Sequence, residues 1–398
     1  MTGMKANPGG NISAAYAVGR DQLCRACWNA LEVQSIRLEN ERRLGKTTLV
    51  RKMVAMAPER THTVVMEVGG LSSTVGFIEE LIDRIDAVIP EKGKSFKTRA
   101  RDVISAIAGV EIAGVVKIPD LAKPYWRKIL LGCFQELMKA TQDRVVLFWD
   151  EIPWMLQKIK AAEGNGAAID LMDTLRDIRQ THERVRMVYT GSIGFHHVLA
   201  QLEEDGIPGR PLNDMRRINV PPLDRTDALF LALNLLQGEG LKVADPEATA
   251  EALYDNTGGI AFYIHCVVAD LIPGGEASPE KVAQRVAAAL RSPSDPWEMR
   301  HFDTRLKAYY GTFERRARSL LDAIAEAEEP CPFGVLLERL QGVAGEAAIT
   351  IDQDEVASLL RRLMLDHYLV AAETTPRRYE FRFPLLRRWW RISRRIDL

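Results

Sequence analysis

Eight residues, Asn40-Glu41-Arg42-Arg43-Leu44-Gly45-Lys46-Thr47, constrain this chain more than any other stretch. A segment that reads as a short strand, Val33 to Leu38, leads into them, and Leu49, Val50, Met53 and Val54 follow at helical spacing. Strand, loop and helix in that order match G-x-x-x-x-G-K-[ST] at seven of eight positions, with Asn40 in place of the first glycine. A first glycine usually serves an uncommon backbone angle, and Asn tolerates the left-handed region better than most residues. Gly45 lets the main chain approach a phosphate, where successive N–H groups and the helix N-terminus form a concave anion site. In this pattern Lys46 reaches the β- and γ-phosphates of a nucleotide and Thr47 offers its hydroxyl to Mg2+, with Thr48 next along the helix. ATP and Mg2+ are therefore the expected ligands. Arg42 and Arg43 sit inside the loop, where two readings stand: contact with phosphates or a neighbouring subunit, and plain solvation. Glu39 and Glu41 bring negative charge close to the phosphates, which leaves turnover more open than binding.

Phosphoryl transfer also needs a carboxylate for the metal shell and a group that orients the attacking water. VVLFWDE supplies both at the end of an apolar run about 100 residues further on, Asp150 for the metal and Glu151 as the water-polarising base. A strand that simply ends in solvated acids is the plainer reading, and the glycine-lysine-threonine loop upstream weighs against it. The next apolar strand, VRMVYT, ends at Thr190-Gly191-Ser192, so Thr190 or Ser192 is placed to sense the terminal phosphate; a glycine-serine turn is the alternative.

Strands here alternate with helices, which predicts a parallel α/β sheet. HTVVMEV reads as a strand, FIEELIDRIDAV as a helix, and 125–140 and 168–182 as two more helices. GVEIAGVVKI alternates around two glycines and reads as an inserted hairpin. After Pro221-Pro222 the character changes to helices separated by glycine turns, over 224–291, and RSPSDP reads as a linker. The remainder combines short helices with two alternating strands, YLVAAE and RRYEFRF, in the pattern of a winged helix.

With 46% apolar and 27% charged residues, the chain is globular rather than disordered, and 398 residues predict two or three domains. No apolar run reaches the roughly 20 residues needed to span a bilayer. The first residues, MTGMKANPGGNISAAY, lack the order of a secretory signal and read as a flexible leader. Five scattered cysteines suit a reducing compartment, hence the cytoplasm. Cys24 and Cys27 form a C-x-x-C without a second ligand pair, so they read as small residues on an amphipathic helix rather than half a zinc site.

Between Arg377 and Arg395 lie eight arginines and one acid, interleaved with Tyr379, Phe381, Phe383, Trp389 and Trp390. The net charge of −1 gives no global attraction to nucleic acid, but a local basic face of this kind grips phosphates. Arg377, Arg378, Arg387, Arg388 and Arg391 are the candidate contacts to double-stranded DNA. Against this, Tyr379, Phe381 and Phe383 alternate as core residues do. Leu385, Trp389, Ile392 and Ile396 share one helical face, leaving the arginines solvated on the other.

ERRLGKTTL, LFWDEIPWML, YTGSIG and TGGIAFYI, in this order and spacing, resemble the archaeal-type P-loop ATPases of the STAND and AAA+-related class. The resemblance runs from about Gly19 to the C-terminus and includes SDPWEMRHFDTRLKAYYG and YEFRFPLLRRWW. It implies a P-loop ATPase core over 19–222 behind a leader over 1–18, a helical lid over 223–292 and a winged-helix domain over 293–398. It also makes Gly45, Lys46 and Thr47 the Walker A residues, and Asp150 and Glu151 the Walker B pair. Asn40 departs from that pattern, as does Ala261, which stands where the lid motif usually carries proline. The implied function is an ATP-hydrolysing switch that couples nucleotide state to DNA or to a protein effector. A nucleotide-bound scaffold or regulatory subunit with little turnover is the alternative. Members of this class also assemble as homo-oligomers in which a neighbour's arginine completes the site; Arg210, Arg216 and Arg217 are the candidates here.

Overall fold

A strand covered on both faces needs apolar side chains on both, and Arg144–Asp150 meets that demand. Val145, Leu147 and Trp149 face one core, while Val146 and Phe148 face another. The computed structural model describes residues 3–39, 41–89, 94–109, 117–191, 194–198, 211–345, 352–372 and 377–396. Its contacts group into two units, one of Ser13–Arg42 and Lys46–Val220, the other of Met1–Ile12, Arg43–Gly45 and Pro221–Leu398. The expected hairpin of GVEIAGVVKI falls mostly on 110–116, outside the described residues.

The first unit holds a five-stranded sheet of β1 (Ile36–Glu39), β2 (Thr61–Glu67), β3 (Arg144–Asp150), β4 (Val185–Thr190) and β5 (Arg216–Asn219). Their order is β2-β3-β4-β1-β5, with every pair parallel. Helices α1 (Asp21–Val33) and α2 (Lys46–Ala55) pack into one core. Helices α3 (Thr74–Asp86), α4 (Phe96–Ala108), α5 (Trp126–Ala140), α6 (Ile152–Glu163) and α7 (Asn165–Thr181) pack into the other. Each fully buried Leu, Ile or Phe in these cores contributes about 1.5–3 kcal/mol. β1 begins at Ile36 rather than at the expected Val33, because Val33 completes α1 and remains exposed.

One polar network lies inside this unit. Arg179 on α7 donates to the Tyr189 hydroxyl at 2.8 Å, to both Asp214 oxygens at 2.8 and 2.9 Å and to the Pro211 carbonyl at 2.6 Å. Burial pushes the Tyr189 phenol up to about 12, so it remains a neutral donor and acceptor. The tyrosine ring stacks on Trp149, which meets Phe77 edge-on. This chain of contacts fixes the C-terminal half of β4 against β3 and α3.

The second unit opens with four helices, α8 (Arg225–Glu239), α9 (Pro246–Thr257), α10 (Ala261–Leu271) and α11 (Pro279–Arg291). Asp224, Asp245 and Ser278 cap three of them by accepting from N–H groups three residues on, each cap contributing about 1 kcal/mol. A short parallel pair, β6 (Lys242–Val243) and β7 (Glu276–Ala277), ties their connections. Within the linker the Asp295 carboxylate accepts from the Met299 and Arg300 N–H groups at the start of α12 (Arg300–Tyr309). Helices α13 (Glu314–Glu326), α14 (Phe333–Gly345), α15 (Gln353–Leu365) and α16 (Pro384–Arg394) accompany a three-stranded antiparallel sheet. That sheet comprises β8 (Cys331–Pro332), β9 (Leu369–Ala372) and β10 (Arg378–Phe381) in the order β8-β10-β9, the wing of a winged helix with one more strand than the sequence suggests. Tyr379, Phe381 and Phe383 are buried. Within the segment expected as a leader, the Ala6 N–H donates to Glu239 at 2.6 Å and the Asn7 N–H to His265 Nδ1 at 3.2 Å.

The arginines of α16 differ from expectation. Instead of lying solvated, Arg387 donates to the carbonyls of Ala325 and Ala327, and Arg391 donates to Ala325 at 2.6 Å. These are carbonyls of the last turn and C-cap of α13, which have no partner within that helix. Cations belong there on electrostatic grounds as well. Arg388 donates to the Asn256 side chain at 2.7 Å, and Arg394 pairs with Asp322.

Candidate phosphate-binding site

The sheet order places β4 between β1, which feeds the loop, and β3, which ends in the acids. The C-terminal ends of three adjacent strands therefore converge on one place. β1 ends at Glu39, and α2 begins directly at Lys46. Gly45 has φ +85°, a conformation that favours glycine. Arg43 takes φ +70°, so an uncommon backbone angle does occur in this loop, at a residue the pattern leaves unspecified. Asn40 lies outside the described residues.

Lys46 is buried, and its ammonium donates to the main-chain oxygen of Glu41 at 2.9 Å. The Glu41 side chain is also buried and accepts from the Arg42 N–H at 2.7 Å. Glu39 is less of an electrostatic burden than its sequence position suggests. It pairs with Arg37 at 3.2 Å and with Arg217 at 2.6 Å, so Arg217 is engaged within its own chain. Arg216 is exposed on the edge strand β5, and Arg210 lies outside the described residues. Arg42 is exposed, whereas Arg43 pairs with Glu298 at 2.5 Å and lies over the Phe262 ring at 3.8 Å. Thr48 is half-buried on α2.

Two threonines bracket Asp150. The Thr47 hydroxyl donates to Asp150 Oδ2 at 3.0 Å, and the fully buried Thr190 hydroxyl donates to Oδ1. Each carboxylate oxygen thus has a fixed direction, which orients the side chain. Thr47 is exposed while Thr190 is not, so the group opens towards solvent on the Thr47 side. A hydroxyl and a carboxylate oxygen 3.0 Å apart are hard oxygen donors, the set that Mg2+ takes alongside water and phosphate. The residues present fit that ion. Ser192, the other candidate sensor, lies outside the described residues.

Glu151 follows Asp150 in the left-handed region with φ +64° and caps α6, its carbonyl accepting from the Trp154 and Met155 N–H groups at 3.1 and 3.3 Å. The sequence gives no hint of this conformation. It also does not reveal that Thr190 holds Asp150, although the strand end nearest the two motifs is where such a residue belongs. Cys24 and Cys27 are buried on α1, where burial pushes their thiols up to about 11 and about 12. Among the described residues neither belongs to a group of side chains able to hold a metal ion. Of the basic C-terminal candidates, Arg377 is exposed and Arg378 pairs with Glu329 at 3.6 Å, while Arg387, Arg388 and Arg391 make the internal bonds described above.

No protein-family model matches the sequence, and no curated protein matches it. Solved structures do. A Walker-type ATPase of Pyrococcus abyssi superposes with a TM-score of 0.64 at 16% identity, over 98% of this chain and 100% of that one. The ORC2 protein of Aeropyrum pernix, solved as ADPNP-ADP complexes, superposes with a TM-score of 0.54 at 16% identity, over 95% and 94% of the two chains. At this identity the likeness concerns the fold, and it spans nearly the whole chain.

Proposed function

The chain has the fold of an archaeal P-loop ATPase of the AAA+ class, and from that premise we propose that it is a Mg2+-dependent ATPase acting as a nucleotide switch. The observation that carries the reading is the hydrogen-bonded group of Thr47, Asp150 and Thr190 at the ends of neighbouring strands, beside the loop of Gly45 and Lys46. In this reading the loop N–H groups and the Lys46 ammonium bind the phosphates of ATP. Mg2+, held by Thr47 and Asp150, supplies charge neutralisation at the phosphates. Thr190 keeps Asp150 oriented. Glu151 accepts a hydrogen bond from the attacking water and takes up its proton. Replacing Glu151 with Gln removes the base but preserves shape and hydrogen bonding. We expect that variant to bind ATP as wild type does and to hydrolyse it at least 100-fold more slowly, a loss of about 2.7 kcal/mol. Full turnover in the variant contradicts the assignment.

The finer reading is a cytoplasmic member of the STAND group, with 223–292 as a lid and 293–398 as a winged helix that passes nucleotide state to a partner. A protein effector fits this winged helix better than double-stranded DNA does. Arg387, Arg388 and Arg391 are bonded to the protein itself, and among the five candidate arginines only Arg377 is exposed.

A further inference from the structure

Gly69 packs so closely against Glu151 that it has no room for a side chain. β2 and β3 pair in register up to Glu67 opposite Asp150, and the Val68 N–H donates to the Asp150 carbonyl at 3.0 Å, one rung further. The main chain of β2 therefore continues alongside the acids and brings Gly69 against Glu151. A Cβ at Gly69 would lie 2.8 Å from the Glu151 Cβ, 3.6 Å from its Cγ and 3.7 Å from its carbonyl oxygen. Carbon atoms in contact sit about 3.5–4.0 Å apart, so the first of these distances is a clash. The clash is with Cβ, which no side-chain rotation moves. Only a shift of the Glu151 main chain, or of the turn carrying Gly69, relieves it.

That main chain is already in an unusual state. Glu151 holds φ +64°, a region that side chains with a Cβ rarely adopt and that persists only where neighbours determine it. Gly70, the next residue, is exposed rather than half-buried, and a Cβ there meets nothing within 4 Å. Neither glycine has the positive φ that would make substitution strained in itself. The pair thus separates the effect of space at Glu151 from the effect of a lost glycine in the turn.

We propose that Gly69 is a positioning residue for hydrolysis: its missing side chain leaves the room in which Glu151 takes its left-handed conformation and aims its carboxylate. This inference rests on the reading of Glu151 as the water-polarising base. The three atoms nearest to a Cβ at Gly69 all belong to Glu151 and none to Lys46 or its loop, so replacement is expected to act on turnover and spare binding.

The test compares wild type, Gly69→Ala and Gly70→Ala for ATP affinity and for single-turnover hydrolysis. We expect Gly69→Ala to keep wild-type affinity within about twofold and to lose at least tenfold in rate, with Gly70→Ala unchanged in both. A melting-temperature cycle in the Glu151→Gly background provides a readout that needs no activity. Gly69→Ala should lower the melting temperature of wild type and have no effect where residue 151 lacks a Cβ. An active wild type with Gly69→Ala equally active, or an equal melting loss in both backgrounds, overturns the inference and leaves the ATPase reading standing. A wild type that binds ATP without turnover overturns the role of Glu151, and the inference with it.

Discussion

His265 shows how one buried side chain sets a pH limit. Burial on α10 lowers its imidazole from the ordinary 6.5 to about 4, and its Nδ1 accepts the Asn7 N–H, a bond available only to an unprotonated nitrogen. In the unfolded chain the same imidazole takes up a proton below about pH 6.5. Between pH 6.5 and 4 the unfolded state therefore binds more protons, and stability falls as pH falls through that window. We expect a loss on the order of 2 kcal/mol at pH 5 relative to pH 7, from about 1.4 kcal/mol per unit. Denaturant unfolding of wild type and His265→Gln at both pH values checks it: the substitution should reduce the pH dependence by that amount. An identical dependence in the two proteins contradicts the account. At this same scale the sequence is least informative. Lys46, Thr47 and Asp150 stand out because their chemistry is bound to a spacing. The burial of Glu41, the left-handed Glu151 and the bare side of Gly69 are set by neighbours distant in the chain, and no local pattern records them.

Among the elements, β3 and α16 illustrate two degrees of legibility. VVLFWDE is recognisable as a central strand because it is an uninterrupted apolar run of strand length rich in β-branched and aromatic residues, and both of its faces are buried here. The helix α16 is equally clear as a helix, with Leu385 and Trp389 buried on the expected side. The purpose of Arg387 and Arg391 is not legible, because their partners are main-chain carbonyls, which carry no sequence signature. Arg387 and Arg391 satisfy the last turn of α13, and hydrogen bonds to a charged donor contribute about 1.5–3 kcal/mol each. Replacing Arg391 with Met, which keeps much of the stem, should lower the unfolding free energy by about 1–2 kcal/mol and leave retention on double-stranded DNA unchanged. Undiminished stability together with weakened DNA binding would reverse that role. The two-residue strand β8 escapes notice in the sequence because its length is below any periodicity.

At the scale of the whole molecule, the order β2-β3-β4-β1-β5 does what no single motif can. It carries Asp150 from a residue about 100 positions away to 3.0 Å from Thr47, with Thr190 on the strand between them. The alternation of strands and helices makes a parallel sheet readable in the sequence, and likeness to solved ATPases along nearly the full chain agrees with it. The strand order itself is a property of packing. The proposed function requires that the loop and the acids work as one site, with nucleotide binding dependent on Lys46 and on Mg2+ together. The most direct measurement is ATP binding and hydrolysis by wild type and Lys46→Ala, each with Mg2+ and with chelator. The account predicts Mg2+-dependent binding and turnover in wild type, and at least tenfold weaker affinity in the variant, about 1.4 kcal/mol. Unchanged affinity in Lys46→Ala, or binding indifferent to Mg2+, would contradict it.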